Sequence, residues 1–228
     1  MKVAVLRSPG SNCDQDALWS LRDHVGVQAE YVWHESTSLQ GFDAVFLPGG
    51  FTYGDYLRCG AIASRSPIMD EVQRFAKEGR PVIGVCNGFQ VLCEARILPG
   101  ALLLNKFEKF LCKTVILKAV NTNSPWTRGV DRLLHIPIAH NEGRFVCDAD
   151  TLKQIQDEDR IAFRYVDDCG RTTEDANPNG ATDNIAGVLN PLGNVLGIMP
   201  HPERACDEFL GSKDGLVILQ ALNLVFAR

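Results

Sequence analysis

The 228-residue sequence predicts an α/β three-layer sandwich, with a mostly parallel central sheet, helices on both faces and added antiparallel strands. Three observations lead there. Short apolar runs of strand length alternate with segments of helical period in the first part of the chain. Two of these runs stop in glycine-rich turns, Pro48-Gly49-Gly50 and Cys86-Asn87-Gly88. After Pro99-Gly100 the pattern changes to strands with little helix between them.

In chain order, residues 2–6 read as a buried strand running into Ser8-Pro9-Gly10-Ser11-Asn12, a turn able to cap a helix over residues 13–25. Ala17, Leu18, Leu21 and Val25 recur there at helical spacing. Residues 28–32 and 43–47 follow as strands. A loop rich in Gly and Tyr, residues 51–60, leads to a helix over 67–77, and Glu78-Gly79-Arg80 closes it before the strand that reaches Cys86. Residues 89–95 suit a helix. Further on, 113–120, 134–138, 144–147 and 161–165 read as strands added antiparallel to the sheet, with a helix over 150–156. Residues 185–189 and 195–199 form a hairpin across Asn190-Pro191-Leu192-Gly193-Asn194. A final helix over 213–226 carries Leu216, Leu219, Leu222 and Phe226 on one face. No repeat, low-complexity tract or linker divides the chain, so residues 1–228 are expected to form one domain of the flavodoxin-like arrangement.

Composition excludes several classes. A hydrophobic content of 45% with 22% charged residues is that of a globular protein, and a net charge of −5 argues against a nucleic-acid binder. No apolar run approaches the roughly 18 residues that cross a bilayer, and residues 1–7 meet charge too soon for a signal peptide. The length of the chain and the lack of a visible export signal argue against a disulfide scaffold for its eight cysteines, and their spacing, with no C-x-x-C pair, argues against a common zinc site. A cytoplasmic setting is expected. Cys13, Cys59, Cys93, Cys112, Cys147, Cys169 and Cys206 are then expected to have packing roles. Neither a P-loop nor a dinucleotide fingerprint is present. Asp14, Asp16, Asp167 and Asp168 lie at no metal spacing and are expected to be solvated or capping; no metal is expected.

Cys86 differs from the other cysteines. Pro81-Val82-Ile83-Gly84-Val85-Cys86-Asn87-Gly88-Phe89-Gln90 has the layout of a nucleophile elbow with cysteine in place of serine. Glycines two residues before and after relieve the crowding of such a turn, and the Asn87 N–H at the helix start favours a thiolate or a forming oxyanion. A buried structural cysteine fits a bare G-x-C-x-G equally well. Such a nucleophile needs a base and an orienting acceptor. Among the histidines, His201 lies between Pro200 and Pro202 after a strand, with Glu203 two residues on; an extended backbone would place both side chains on one side. A surface turn would read the same. His24, His34 and His135 suit surface or packing roles. Gly49-Gly50 ends a strand at the sheet edge expected for Cys86, so a donor from Gly50 or Phe51 could join Asn87 N–H in an oxyanion hole. An ordinary tight turn is the plainer alternative.

Taken together, Gly84-Val85-Cys86-Asn87-Gly88-Phe89-Gln90, Leu47-Pro48-Gly49-Gly50-Phe51 and Pro200-His201-Pro202-Glu203 resemble the class I glutamine amidotransferases with a Cys-His-Glu triad. Narrower stretches are similar to the small glutaminase subunits of phosphoribosylformylglycinamidine synthases. These are Pro9-Gly10-Ser11-Asn12-Cys13-Asp14, residues 51–61, Ile138-Ala139-His140, Asn177-Pro178-Asn179-Gly180 and Met199-Pro200-His201-Pro202-Glu203-Arg204. The likeness runs from about residue 2 to 204 and departs from the family at Asn141, where glycine is usual. It implies glutamine hydrolysis in purine biosynthesis, with Cys86, His201 and Glu203 catalytic. Gly49, Gly50, Phe51 and Asn87 would serve the oxyanion hole, and Gln90 would contact substrate. Arg58 and His140 would lie at the site or the partner surface. Ammonia would pass to a separate large synthetase subunit, often bridged by a small third subunit. No cofactor is expected on this chain, and ATP and Mg are expected on the partner. A stand-alone cysteine hydrolase and a non-catalytic binding subunit of the same fold remain as alternatives.

Overall fold

The computed structural model describes residues 1–224. Its strands are β1 (Lys2–Arg7), β2 (Gln28–Trp33), β3 (Ala44–Leu47), β4 (Val82–Val85), β5 (Ala101–Leu103), β6 (Leu111–Ala119), β7 (Leu134–His140), β8 (Arg144–Val146), β9 (Ile161–Tyr165), β10 (Ile185–Leu189) and β11 (Val195–Ile198). Its α-helices are α1 (Asp14–Trp19), α2 (Ile68–Lys77), α3 (Asn87–Glu94), α4 (Ala149–Asp157), α5 (Asp214–Leu219) and α6 (Ala221–Leu224). Among the described residues a nine-stranded sheet has the order β2-β1-β3-β4-β11-β10-β9-β6-β7. The first five strands pair in parallel and the remaining pairings are antiparallel.

Burial explains which strands sit in the middle. Every residue of β3, β4, β10 and β11 is buried, as expected where elements cover both faces. At one edge β2 buries only Ala29 and Val32; at the other β7 alternates buried residues with more exposed ones. Helix α2 buries Ile68, Met69, Val72, Phe75 and Ala76, the one-sided spacing of a surface helix. Helix α4 starts on the Asp148 side chain, which accepts the Thr151 N–H at 2.7 Å.

Several sequence expectations need correction. Residues 144–146 do not join the main sheet; they pair with β5, a strand the sequence pattern did not suggest, in a separate two-stranded ribbon. Only Phe145 of β8 is buried, so three residues carried too little alternation to fix a partner. The first helix passes into a π-type turn, Ser20–Val25, before Gly26 ends it at φ +77°. The last helix is interrupted at Gln220. Its Leu219 and Leu222 are buried and Leu216 partly so, while Phe226 lies outside the described residues.

Candidate active site

Strand β4 delivers Cys86 to the carboxyl edge of the sheet. Its amide hydrogen-bonds to the Ile198 carbonyl at 2.8 Å, extending the β4–β11 ladder by one residue before the chain turns into α3. Cys86 takes φ +50° and ψ −106°, a conformation unusual for a non-glycine residue and costing roughly 1–3 kcal/mol. The surrounding structure holds it there. A Cβ on Gly88 would lie 2.1 Å from the Leu47 carbonyl oxygen, and one on Gly84 would meet Leu92 at 2.5 Å. Only hydrogens at those positions let α3 approach β3 and β4 closely enough to hold the elbow.

His201 follows β11 and caps a 3₁₀ turn, Pro202–Arg204. The extended path expected for His-Pro-Glu is therefore absent; the turn, and not a strand period, brings the pair together. His201 Nδ1 and Glu203 Oε1 are 2.6 Å apart, with His201 1% and Glu203 0% exposed. The His201 N–H hangs on the Pro137 carbonyl of β7 at 2.8 Å, and α5 presses on the turn where Gly215 meets Pro202. Burial alone would lower the basicity of the imidazole, but the Glu203 carboxylate and then the Cys86 sulfur raise it well above the usual histidine range. Its Nε2 is buried and makes no hydrogen bond, leaving it open to a reacting atom. Cys86 Sγ lies 3.8 Å from the Ala139 carbonyl.

The glycine turn after β3 sits against both side chains. A Cβ on Gly49 would be 2.7 Å from His201 Cε1 and 3.4 Å from Cys86 Cβ. Cys13 N–H is tied to the Gly49 carbonyl at 3.2 Å. The Phe51 N–H already donates to the Gly10 carbonyl at 2.9 Å, which removes it as a donor to a ligand. Gly50 N–H is not among the backbone hydrogen bonds of the described residues, and Asn87 N–H, first in α3, has no intrahelical acceptor. The Gln90 amide is also engaged. Its Oε1 accepts from Asn87 Nδ2 at 2.8 Å and its Nε2 donates to the Glu142 carbonyl at 2.6 Å.

A cavity of about 220 Å³ opens beside Cys86, with Gly50, Asp55, Gln90, His140 and Glu142 among its walls. Burial, and then the Glu142 charge, raise the Asp55 carboxyl against a lowering contact from Cys59. His140 forms the far wall. Burial, with repulsion from His201, lowers it to about 4, so its ring is neutral near pH 7. Asn105 fixes the tautomer. Its Nδ2 donates to the Lys109 and His140 carbonyls at 2.8 and 2.9 Å, so its Oδ1 must accept from His140 Nδ1 at 3.0 Å and from Gly143 N–H at 3.1 Å. His140 Nε2 is then a lone-pair acceptor, buried and without a partner. Asn179 holds the same turn through the Gly143 carbonyl at 2.8 Å.

Sequence reading missed Asn105 altogether. A lone Asn in a loop carries no spacing signal, because its partners lie 35 and 38 residues away. It also misjudged Cys112, Cys169 and Asp14, while other side chains keep one of their expected places. Cys13 is buried at the site, where Arg204 Nη2 donates to its sulfur at 3.1 Å; Cys112 and Cys169 are exposed and have no packing role. Asp14 is buried and paired with Arg7 at 2.6 Å because α1 folds over β1. Arg58 is on the surface, paired with Glu94 at 2.6 Å. His34 is buried and hydrogen-bonds the Tyr53 hydroxyl at 2.9 Å.

Comparison with known proteins agrees with this geometry. The profile of the CobB/CobQ-like glutamine amidotransferase domain matches residues 1–214. The chain is 50% identical over 224 residues to "Phosphoribosylformylglycinamidine synthase subunit PurQ" from Methanosarcina acetivorans, covering 97% of each, and to the subunit of that name from Methanosarcina mazei to the same extent. Among solved structures it is similar to a chain of "PurLQS from Thermotoga maritima", with TM-score 0.86 and 42% identity over 97% of each chain. A putative GMP synthase subunit from Thermoplasma acidophilum shares the fold at TM-score 0.62 and 16% identity, covering 98% of this chain and 94% of that one.

Proposed function

The chain belongs to the CobB/CobQ-like glutamine amidotransferase family, and from that premise we propose that it is the glutaminase subunit of a phosphoribosylformylglycinamidine synthase, acting in purine biosynthesis. It would work in complex with two partners, one the large synthetase and the other a small third subunit, as in the PurLQS assembly. The observation that carries the reading is a buried imidazole oriented by Glu203, with its second nitrogen unpartnered beside Cys86.

In the proposed reaction Cys86 Sγ attacks the side-chain amide carbon of glutamine while His201 holds the thiol proton. The tetrahedral oxyanion is met by Gly50 and Asn87 N–H groups, each of a kind whose loss typically costs about 2.7–4 kcal/mol. The C–N bond then breaks, His201 returns its proton to the leaving nitrogen, and ammonia departs. Water, deprotonated by the same imidazole, cleaves the γ-glutamyl thioester to release glutamate and restore the thiol. Asp55 and Glu142 supply negative charge for the substrate α-ammonium. Gln90 acts through Asn87 and Glu142, holding the pocket's shape. We place ATP and Mg on the synthetase subunit, treat residues 1–228 as one domain and assign the protein to the cytoplasm. No described helix is long and apolar enough to cross a membrane.

Cys86→Ala tests the assignment. In the assembled complex, glutamine-dependent synthesis should fall by on the order of 10⁶-fold while synthesis from added ammonia continues. Glutamine still serving as nitrogen donor to the variant would overturn the nucleophile assignment. Glutamate release measured with and without the synthetase subunit separates this reading from a free-standing hydrolase, which needs no partner.

A further inference from the structure

Two hydroxyl groups behind the elbow at Cys86 take part in no step above and have no hydrogen-bond partner among the described residues. Thr52 is 7% and Ser66 8% exposed, and the side-chain oxygen of each is buried and unpaired. Their backbone groups are engaged elsewhere. Thr52 N–H donates to Asn87 Oδ1 at 3.3 Å, Ser66 N–H donates to the Ala63 carbonyl at 3.0 Å, and the Ser66 carbonyl accepts from Met69 N–H at 2.9 Å. Ser66 stands just before α2, yet no side chain caps that helix. Both residues line one cavity of about 30 Å³, bounded also by Leu47, Ile68, Asn87 and Gly88.

We propose that this cavity is a structural water site, in which a water shared by Thr52 Oγ1 and Ser66 Oγ fastens the turn at residues 52–55 behind the elbow. Buried polar groups are paired almost without exception, and a cavity of this size has room for about one or two water molecules. A hydroxyl both donates and accepts, and so does water. No ionisable side chain lines the cavity, so nothing there balances the charge of an ion. The place of the site gives the water a role. Tyr53 and Asp55 hold φ of 55° and 56°, left-handed values that a non-glycine residue keeps only where its surroundings fix them. Protein contacts supply part of that restraint. Tyr53 N–H donates to the Pro9 carbonyl at 2.7 Å, whereas the Thr52–Asn87 bond is long at 3.3 Å. The water supplies the rest by tying Thr52 to Ser66 at the head of α2. The turn carries Asp55 into the wall of the cavity beside Cys86, so loosening it moves that carboxylate and leaves Cys86, His201 and Glu203 where they are. This last consequence rests on the glutaminase reading; the water itself does not.

The test is a crystal structure of the full chain at a resolution that shows ordered water, paired with kinetics of the assembled complex. Wild type should show a water peak within about 3.2 Å of both Thr52 Oγ1 and Ser66 Oγ. Thr52→Val keeps the shape of the side chain and removes the hydroxyl. It should lose the peak and raise KM for glutamine by roughly three- to tenfold, with kcat little changed. Thr52→Ser keeps the hydroxyl and should keep both the peak and the wild-type KM. A wild-type cavity without the peak overturns the proposal, as does a Thr52→Val chain that retains it. An unchanged KM in a Thr52→Val chain that has lost the water overturns the role given to it. If Thr52→Val folds poorly, Ser66→Ala, which removes the other hydroxyl, is measured in its place. The density map needs no glutamine, so its failure leaves the proposed reaction untouched, and a failed Cys86→Ala test leaves the water in place.

Discussion

The parallel half of the sheet holds its share of the site with backbone, whereas the antiparallel half holds the opposite wall with side-chain amides. Cys86 and the Gly49-Gly50 turn sit at the ends of β4 and β3, kept in place by ladder hydrogen bonds and by glycine contacts too close for any Cβ. His140 ends β7 and Gly143 follows it, and both are kept in place by Asn105 and Asn179. His201 joins the two, since it follows parallel β11 but its amide hangs on β7. The wall that carries Cys86 therefore has no easily exchanged part, and the opposite wall depends on single replaceable residues.

The largest effect is expected at the junction. Glu203→Gln keeps the shape but loses the acceptor charge that orients His201 Nδ1–H, so turnover should fall by about 10³–10⁴-fold. The basic limb of the pH–rate profile should also move to lower pH, because the carboxylate raises the imidazole's basicity. An unmoved limb would detach Glu203 from the base.

On the backbone-held side, Gly88→Ala puts a methyl against the Leu47 carbonyl and should cost about 3 kcal/mol, read as a lower denaturation midpoint. Wild-type stability would show that α3 can shift and that the elbow is softer than described.

On the amide-held side, His140 should make the fold acid-sensitive. Its pKa is lowered from 6.5 to about 4 in the fold, so the unfolded chain binds the extra proton between those values. The contribution is fully present above pH 6.5 and is lost as pH falls toward 4, about 3 kcal/mol in all. His140→Gln should flatten denaturant-measured stability across that window. His201, raised in the fold, acts in the opposite sense at higher pH.

The smallest effect sharpens the contrast most. Asn105→Ala leaves Gly143 N–H and the His140 ring without their acceptor and should cost about 2 kcal/mol. KM for glutamine should rise while the rate at which a small alkylating reagent modifies Cys86 stays the same. Parallel losses in both would mean that the two walls are not independent.

The same contrast explains what could be read from the sequence. The backbone-held side announces itself, because close approach demands glycine and a buried strand demands an apolar run. Gly84, Cys86 and Gly88, with Gly49-Gly50, therefore marked the sheet edge where the structure places Cys86, and the alternation of strands and helices marked the parallel layers. The amide-held side leaves no such trace. Asn105 looks like any loop asparagine until its distant partners are known, and β5 and β8 are too short to show a period. His-Pro-Glu pointed to a pair that the structure does bring together, but by a different local geometry, since a 3₁₀ turn and an extended segment can both set residues 201 and 203 against each other. Cys13 was assigned to packing because burial is the common fate of a cysteine, and only the fold places it against His201.

Cys112 and Cys169 lie on the surface, while Cys86 is 5% exposed. A reagent that counts modified sulfur atoms will therefore include the two outer ones. Labelling stoichiometry taken on the intact chain overstates how much active-centre chemistry has occurred, and inactivation has to be plotted against peptide-mapped adducts at residue 86, preferably in a background where the outer pair is serine.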